Sequence, residues 1–198
     1  MLVKARSKIE KMKLFNIQFQ LADAEKLDYP KGRFDCILCA NTFPWISDKE
    51  ATLKSWHRFL SPGGHIAIHT PADTAYVGSV VLRQVLAAHG IEVEPSNRIG
   101  SVEQCKKLFA LSGFKNIEIK QEQYGNYVSF ERAYSAWNNV VGNPSHLSLK
   151  ISSEIFKLKE AELIDIQSEF KTALIARQTQ EGIWDDLTTL YIIGHKVN

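Results

Sequence analysis

Three polar residues stand at the ends of apolar stretches, where a folded chain can present them to a ligand. The Asp23 carboxylate can accept a hydrogen bond from an amino group such as that of adenine, and the Ala24 N–H can serve a ring nitrogen. An Asp in this place is more often a helix or turn cap. Asn41 and Trp45 follow the next apolar run and suit a small-molecule pocket or a packed loop. His69 ends a third run, where its imidazole can transfer a proton or form a partly buried polar side chain.

Cys36 and Cys39 invite a metal or redox interpretation because only two residues separate them. Residues three apart on a strand point to opposite faces, so the two thiols cannot grip one ion or form a disulfide without distortion. The sequence has three cysteines, and no second pair. We therefore expect core thiols, no metal site, and a reducing, cytoplasmic compartment.

The elements that must position these residues alternate between strands and helices. This order predicts an α/β fold with a mostly parallel sheet covered on both faces, whose ligands lie outside the carboxyl ends of the strands. The predicted strands cover residues 17–21, 34–40, 65–69, 114–121 and 188–196. The predicted helices cover residues 3–13, 48–60, 74–89, a segment capped by Ser101 and Gln104, and most of 131–180, including a long amphipathic helix over 154–178.

The amino-acid composition limits the classes of molecule that the chain is expected to bind. The chain has 198 residues, 44% of them hydrophobic, with 24 basic and 22 acidic side chains and a net charge of +2. Such a balance excludes a disordered chain and gives no reason to expect nucleic acid or a membrane as a partner. No apolar run approaches the length of a membrane-spanning helix.

Several segments together resemble the class I S-adenosylmethionine-dependent methyltransferases, in particular the small-molecule group known as type 11. The resemblance covers roughly residues 1–121 and 182–197. It rests on Asp23–Leu27, Phe34–Ile37, the Trp45 region, Arg58–Gly64, the helix and strand over 105–121, and the final strand over 188–196.

The resemblance implies a Rossmann-like sheet with an antiparallel last strand and S-adenosylmethionine as the cofactor. It implies that Asp23 and Ala24 contact the adenine, and that Asn41 and Trp45 border the methionine and methyl region. For the acceptor side we name His69, Tyr124, Tyr127 and Trp137. The spacing of Phe130, Tyr134 and Trp137 is also typical of a helix packed in the core.

The chain departs from this family in one respect. None of its 11 glycines forms the Gly-x-Gly-x-Gly loop, and Met1–Arg6 resembles the helix that follows the family's second strand. We therefore expect a sheet without the first two strands, in which the strand over 34–40 becomes an edge. We further expect binding of S-adenosylmethionine weaker than micromolar, and a second copy or a complementing chain as partner.

The sequence thus predicts one methyltransferase-like domain over 1–198, with 122–181 as a helical lid over the substrate. The predicted reaction is methyl transfer to oxygen, nitrogen or carbon of a small molecule. The alternative is a non-catalytic remnant or fragment that acts as a binding module, which the absent Gly-rich loop favours. A nicotinamide-dependent oxidoreductase is disfavoured because the sequence has neither a Gly-rich fingerprint nor a Tyr-x-x-x-Lys pair.

Overall fold

A computed structural model describes residues 2–91, 99–141, 155 and 157–197. The strands are β1 (Phe34–Ala40), β2 (Leu60–Pro71), β3 (Lys115–Glu122), β4 (Gly125–Val128), β5 (Gln178–Thr179), β6 (Gly182–Asp186) and β7 (Thr189–His195). The helices are α1 (Leu2–Met12), a short 3-10 helix (Phe43–Trp45), α2 (Lys49–Phe59), α3 (Val77–Ala88), α4 (Val102–Leu111), α5 (Phe130–Val140) and α6 (Glu160–Ile175).

Four strands form the main sheet in the order β1-β2-β7-β3. Strand β2 runs parallel to β1, and β7 runs antiparallel to both β2 and β3. Three strands therefore point one way and the last strand of the chain points the other way. This arrangement confirms the predicted α/β class with a mostly parallel sheet and an antiparallel final strand.

Helices α2 and α4 begin at caps that the sequence supplies. The Asp48 carboxylate accepts the N–H of Ala51 at the start of α2, and Ser101 and Gln104 form the predicted capping box of α4. Lys196, from the end of the chain, donates its ammonium group to the carbonyls of His57 and Leu60 where α2 ends. A cation there complements the negative end of the helix dipole.

Two hydrophobic clusters divide the described residues. The first joins one face of the main sheet to α2 and α4, and includes Phe43, Trp56 and Phe109. The second joins α3, α5 and α6 to β6, and includes Trp137 and Phe170. The second cluster includes no residue of the four strands of the main sheet.

The expectation that the sheet is covered on both faces is wrong for the part of the chain that the structure describes. Residues on the second face are open: Cys36 is exposed, Leu38 is 76% exposed and Tyr191 is 38% exposed. Helices α2 and α4 pack on the first face, whereas α3, α5 and α6 pack on one another. Cys39, by contrast, is buried, which confirms that the two nearby thiols point to opposite faces. The expectation of core thiols therefore holds for Cys39 and is wrong for Cys36, whose side of the strand is open to solvent.

The prediction of a strand over 17–21 is also wrong. Those residues have no regular structure, and Leu21 is 88% exposed. Alternation of apolar and polar residues favours a strand only where another strand supplies hydrogen bonds, and none of the described strands pairs with this segment.

Strand β1 is an edge of the main sheet, as predicted. It pairs with β2 on one side, and the described strands offer it no partner on the other. Its exposed Leu38 is the kind of apolar side chain that makes an open edge prone to association.

The predicted helical lid over 122–181 is helical only in part. Helices α5 and α6 lie in it, but so do β4 and β5, which pair with the two sides of β6 in a second, three-stranded antiparallel sheet. Helix α6 begins at Glu160 rather than at residue 154. The sequence Gly142-Asn143-Pro144, which predicts a break between the helices of this region, lies outside the described residues. None of the helices described is long and apolar enough to span a membrane.

Candidate functional site

The ends of β1 and β2 bring two of the predicted site residues together. Ala40 and His69 are register partners, and the N–H of Asn41 donates to the carbonyl of His69 at 3.3 Å. Asn41 has a φ of 58°, a left-handed conformation that asparagine tolerates better than most residues. The chain therefore turns sharply at Asn41, at the edge where parallel α/β sheets bind ligands.

The carboxyl ends of β2 and β3 meet the start of β7 at the same edge. Thr189 is the register partner of both Pro71 and Glu122. The phenol of Tyr124 lies 3.1 Å from the Thr189 hydroxyl, and the Tyr124 side chain is about half exposed. Tyr124 thus lies at the predicted edge of the sheet.

The side chain of His69 lies on the open face of the sheet. Its imidazole stacks on the ring of Tyr191, with centroids 5.2 Å apart and planes inclined by 15°. The ring is thus held in orientation by an aromatic neighbour while it stays partly exposed.

The remaining two aromatic candidates differ in their surroundings. Tyr127 lies on β4 and packs edge-on against Trp184, and both rings are about half exposed. Trp137 is only 6% exposed and stacks on Phe170 within the second hydrophobic cluster. The structure therefore gives Trp137 the surroundings of a core residue, which helical spacing with Phe130 and Tyr134 also indicates.

Asp23 lies in an exposed turn. Its Oδ1 accepts the N–H of Glu25 at 3.0 Å, and its Oδ2 lies 3.7 Å from the ammonium group of Lys26. The next residue, Ala24, packs against the first hydrophobic cluster. The turn is thus anchored by Ala24, while the Asp23 carboxylate caps it and remains open to solvent.

Trp45 lies on the short 3-10 helix that follows β1, and 71% of its surface is exposed. Phe43, two residues earlier, is fully buried. Phe43 therefore anchors the turn in the core, whereas the indole of Trp45 is exposed to solvent beside the edge of the sheet.

Glu25 joins the Asp23 turn to the segment after β1, and the sequence did not identify it. Its two carboxylate oxygens accept the backbone N–H groups of Ser47 at 2.7 Å and Asp48 at 3.2 Å. These hydrogen bonds lower the pKa of Glu25, because they favour its charged form.

Lys49 holds the same segment from inside and was also missed. It is 3% exposed, and its ammonium group donates to the carbonyls of Ile46 at 2.7 Å and Pro44 at 3.4 Å. Burial lowers the pKa of Lys49 to about 8, against an opposing attraction from Glu25. A sequence pattern gives no sign of either residue, since a Glu and a Lys at these spacings are ordinary surface residues.

Comparisons with known proteins identify the chain's relatives. Residues 1–68 match a family model described as a methyltransferase domain. The chain is related to the class I S-adenosylmethionine-dependent methyltransferases. The match includes Asp23, Ala24, Asn41 and Trp45 and ends just before His69.

Curated relatives of this methyltransferase-like chain include ubiquinone/menaquinone biosynthesis C-methyltransferases UbiE. The Cronobacter sakazakii protein is 27% identical over an alignment of 140 positions, and the match covers 60% of this chain and 53% of the relative. The Pseudomonas putida protein is 43% identical over 53 residues, which are 27% of this chain and 21% of the relative. The chain therefore spans about half the length of these relatives or less.

Solved structures share the fold at low sequence identity. The YcgJ protein from Bacillus subtilis has a TM-score of 0.56 and 16% identity over all of this chain and 79% of that one. A Haemonchus contortus phosphoethanolamine N-methyltransferase 2, in complex with phosphomonomethylethanolamine and S-adenosylhomocysteine, has a TM-score of 0.55 and 16% identity over all of this chain and 41% of that one. The predicted Rossmann-like methyltransferase fold is thereby confirmed.

Proposed function

We propose that this chain transfers a methyl group from S-adenosylmethionine to a small-molecule acceptor. The observation that carries the proposal is the meeting of Asn41 and His69 at the carboxyl edge of the sheet, within a chain whose first third matches a methyltransferase domain. When bound, the cofactor supplies an electrophilic methyl group on a sulfonium ion.

The residues present fit the adenosine part of that cofactor. Asp23 offers an exposed carboxylate whose Oδ2 contacts only an exposed lysine among the described partners, so an exocyclic amino group can replace that contact. We assign Asp23 and Ala24 to the adenine, with Asp23 accepting from the amino group and the Ala24 N–H donating to the ring.

Asn41 and Trp45 are assigned to the methionine and methyl region. Asn41 is fixed by its backbone bond to His69, and Trp45 offers an exposed indole beside the same strand end. The contribution of these residues to catalysis is alignment and exclusion of water, because methyl transfer gains mainly from holding donor and acceptor in line.

The acceptor side is assigned to His69, Tyr124 and Tyr127, which are partly exposed polar rings on or near the same edge. We leave Trp137 out of this set because its ring is buried. Helices α5 and α6 together with β4 and β5 are proposed as the cover over the acceptor, within one domain spanning residues 1–198.

Amide chemical shifts test this assignment of residues. S-adenosylhomocysteine is titrated into the isotope-labelled chain, and we expect the largest shifts at Asp23, Ala24, Asn41 and Trp45. Shifts that are confined to buried residues of the second hydrophobic cluster, with none at these four residues, would contradict it.

The second candidate function is a non-catalytic binding module. The absence of a Gly-x-Gly-x-Gly loop from the 198 residues favours it. An assay with labelled S-adenosylmethionine and a panel of small acceptors separates the two, because a binding module shows saturable cofactor binding without labelled product.

A further inference from the structure

We infer that Glu25 is a positioning residue that holds the two cofactor-binding segments of the proposed site in one arrangement. The two segments are the adenine segment, residues 23–24, and the methionine segment, residues 41–45. The inference rests on the proposed function and extends it to a residue that contacts neither the cofactor nor the acceptor.

The geometry that carries this inference is a connection across 22 residues of sequence. Glu25 lies directly after the adenine segment, and its carboxylate accepts the N–H groups of Ser47 and Asp48, directly beyond the methionine segment. Each oxygen takes one N–H, so the carboxylate fixes both the distance between the segments and their relative rotation. Hydrogen bonds to an ionised acceptor are stronger than neutral ones.

Lys49 completes the connection from the other side of the same turn. It binds the carbonyls of Pro44 and Ile46, whereas Glu25 binds N–H groups one and two residues farther on. The two charges also attract each other. The backbone between Pro44 and Asp48 is thus held by a buried cation and by the Glu25 carboxylate, which directly follows the adenine segment.

This arrangement matters for ligand binding because a site that is already ordered pays less to bind. If Glu25 is removed, the adenine segment retains the packing of Ala24, and the methionine segment retains Phe43 and Lys49. Each segment stays folded, but their relative position is no longer fixed. Binding should weaken without general unfolding.

The first arm of the test needs no ligand. Hydrogen exchange of backbone amides is measured in the full chain and in Glu25→Ala, Glu25→Gln and Glu50→Ala. Glu50 is the matched control because its carboxylate pairs with Lys54 on the solvent-facing side of α2. We expect Glu25→Ala to speed exchange about tenfold in both 23–27 and 45–49, Glu25→Gln to speed it less because one acceptor oxygen remains, and Glu50→Ala to change neither.

The second arm measures the dissociation constant of S-adenosylhomocysteine for the same proteins. We expect about a tenfold weaker affinity in Glu25→Ala, partial rescue in Glu25→Gln and no change in Glu50→Ala, with urea unfolding midpoints close to that of the parent chain.

The outcomes separate this inference from the proposed function. Faster exchange confined to the Ser47 and Asp48 amides, or equal affinities in the parent chain and Glu25→Ala, would overturn the positioning role. A parent chain that binds no S-adenosylhomocysteine would refute the proposed function. The exchange arm would then still decide whether Glu25 couples the two segments.

Discussion

At the scale of single residues, the turn after β1 is held by polar groups on both of its sides. Lys49 is charged although its side chain is buried, because the carbonyls of Ile46 and Pro44 replace part of its hydration. The part of the desolvation free energy that these hydrogen bonds do not offset lowers the pKa of its ammonium group. Lys49 therefore makes the free energy of unfolding of the chain change with pH in the alkaline range.

The sign of this pH dependence follows from the pKa of Lys49 in the folded chain and in the unfolded chain. The folded pKa of Lys49 is about 8, whereas an unfolded lysine titrates near 10.4. Between these values the unfolded chain binds more protons, so the free energy of unfolding rises with pH. Between about pH 7.5 and pH 9.5 we expect Lys49 to contribute a rise of roughly 1–2 kcal/mol.

Urea unfolding of the parent chain and of Lys49→Met across this range measures the effect. Lys49→Met keeps the apolar stem and removes the titrating group, so its free energy of unfolding should lack this component of the rise. Parallel pH profiles for the two proteins would show that Lys49 keeps an ordinary pKa.

At the scale of elements, two features of packing decide how the molecule behaves: a close helix crossing and an open strand edge. Helices α3 and α5 approach each other at Gly78, where a Cβ atom would lie 2.0 Å from the carbonyl oxygen of Ala133. Strand β1 leaves one side of its backbone unpaired among the described strands. Each feature gives a prediction.

Gly78→Ala should destabilise the chain although alanine is the better helix former. The added methyl group overlaps backbone rather than a flexible side chain, so α3 and α5 must move apart at a cost of about 1–3 kcal/mol. Ser79→Ala, one position along the same helix, is the control and should be neutral within about 0.5 kcal/mol. Chemical denaturation measures both, and a more stable Gly78→Ala variant would mean that the crossing is looser than described.

Leu38→Lys should reduce self-association of the chain. A lysine on an open edge opposes pairing with another strand, and Leu38 has little packing to lose because it is 76% exposed. Leu111→Lys is the matched control, since Leu111 is 57% exposed at the end of α4 and away from the edge. Light scattering at rising protein concentration should show association of the parent chain and of Leu111→Lys. Equal association in all three proteins would place the contact elsewhere.

At the scale of the whole molecule, the sequence predicts the main sheet better than the parts around it. The strands near 34–40, 65–69 and 188–196 follow from apolar runs bounded by Pro, Gly and polar residues, and their order gives the edge where Asn41 and His69 meet. The segment 17–21 carries a similar signal without a partner strand and is not a strand, because pairing is a property of the sheet and not of the segment.

The parts that could not be predicted depend on contacts distant in sequence. Strand β4 is four residues long and exists through its pairing with β6, far along the chain. The bonds of Glu25 to Ser47 and Asp48 likewise require the folded arrangement of two loops. Trp137 shows the opposite case, since its helical spacing with Phe130 already indicated the core position that the structure gives it.

Calorimetric titration of S-adenosylhomocysteine into the 198-residue chain tests the central claim most directly. We expect saturable binding at one site with a dissociation constant on the order of 10⁻⁴ M, weaker than micromolar because the 198 residues contain no Gly-x-Gly-x-Gly loop. Asp23→Ala should weaken this binding, whereas Asp28→Ala, an exposed carboxylate paired with Arg58, should leave it unchanged. Absence of binding by a chain shown to be folded, or equal binding by the Asp23→Ala variant, would contradict the account.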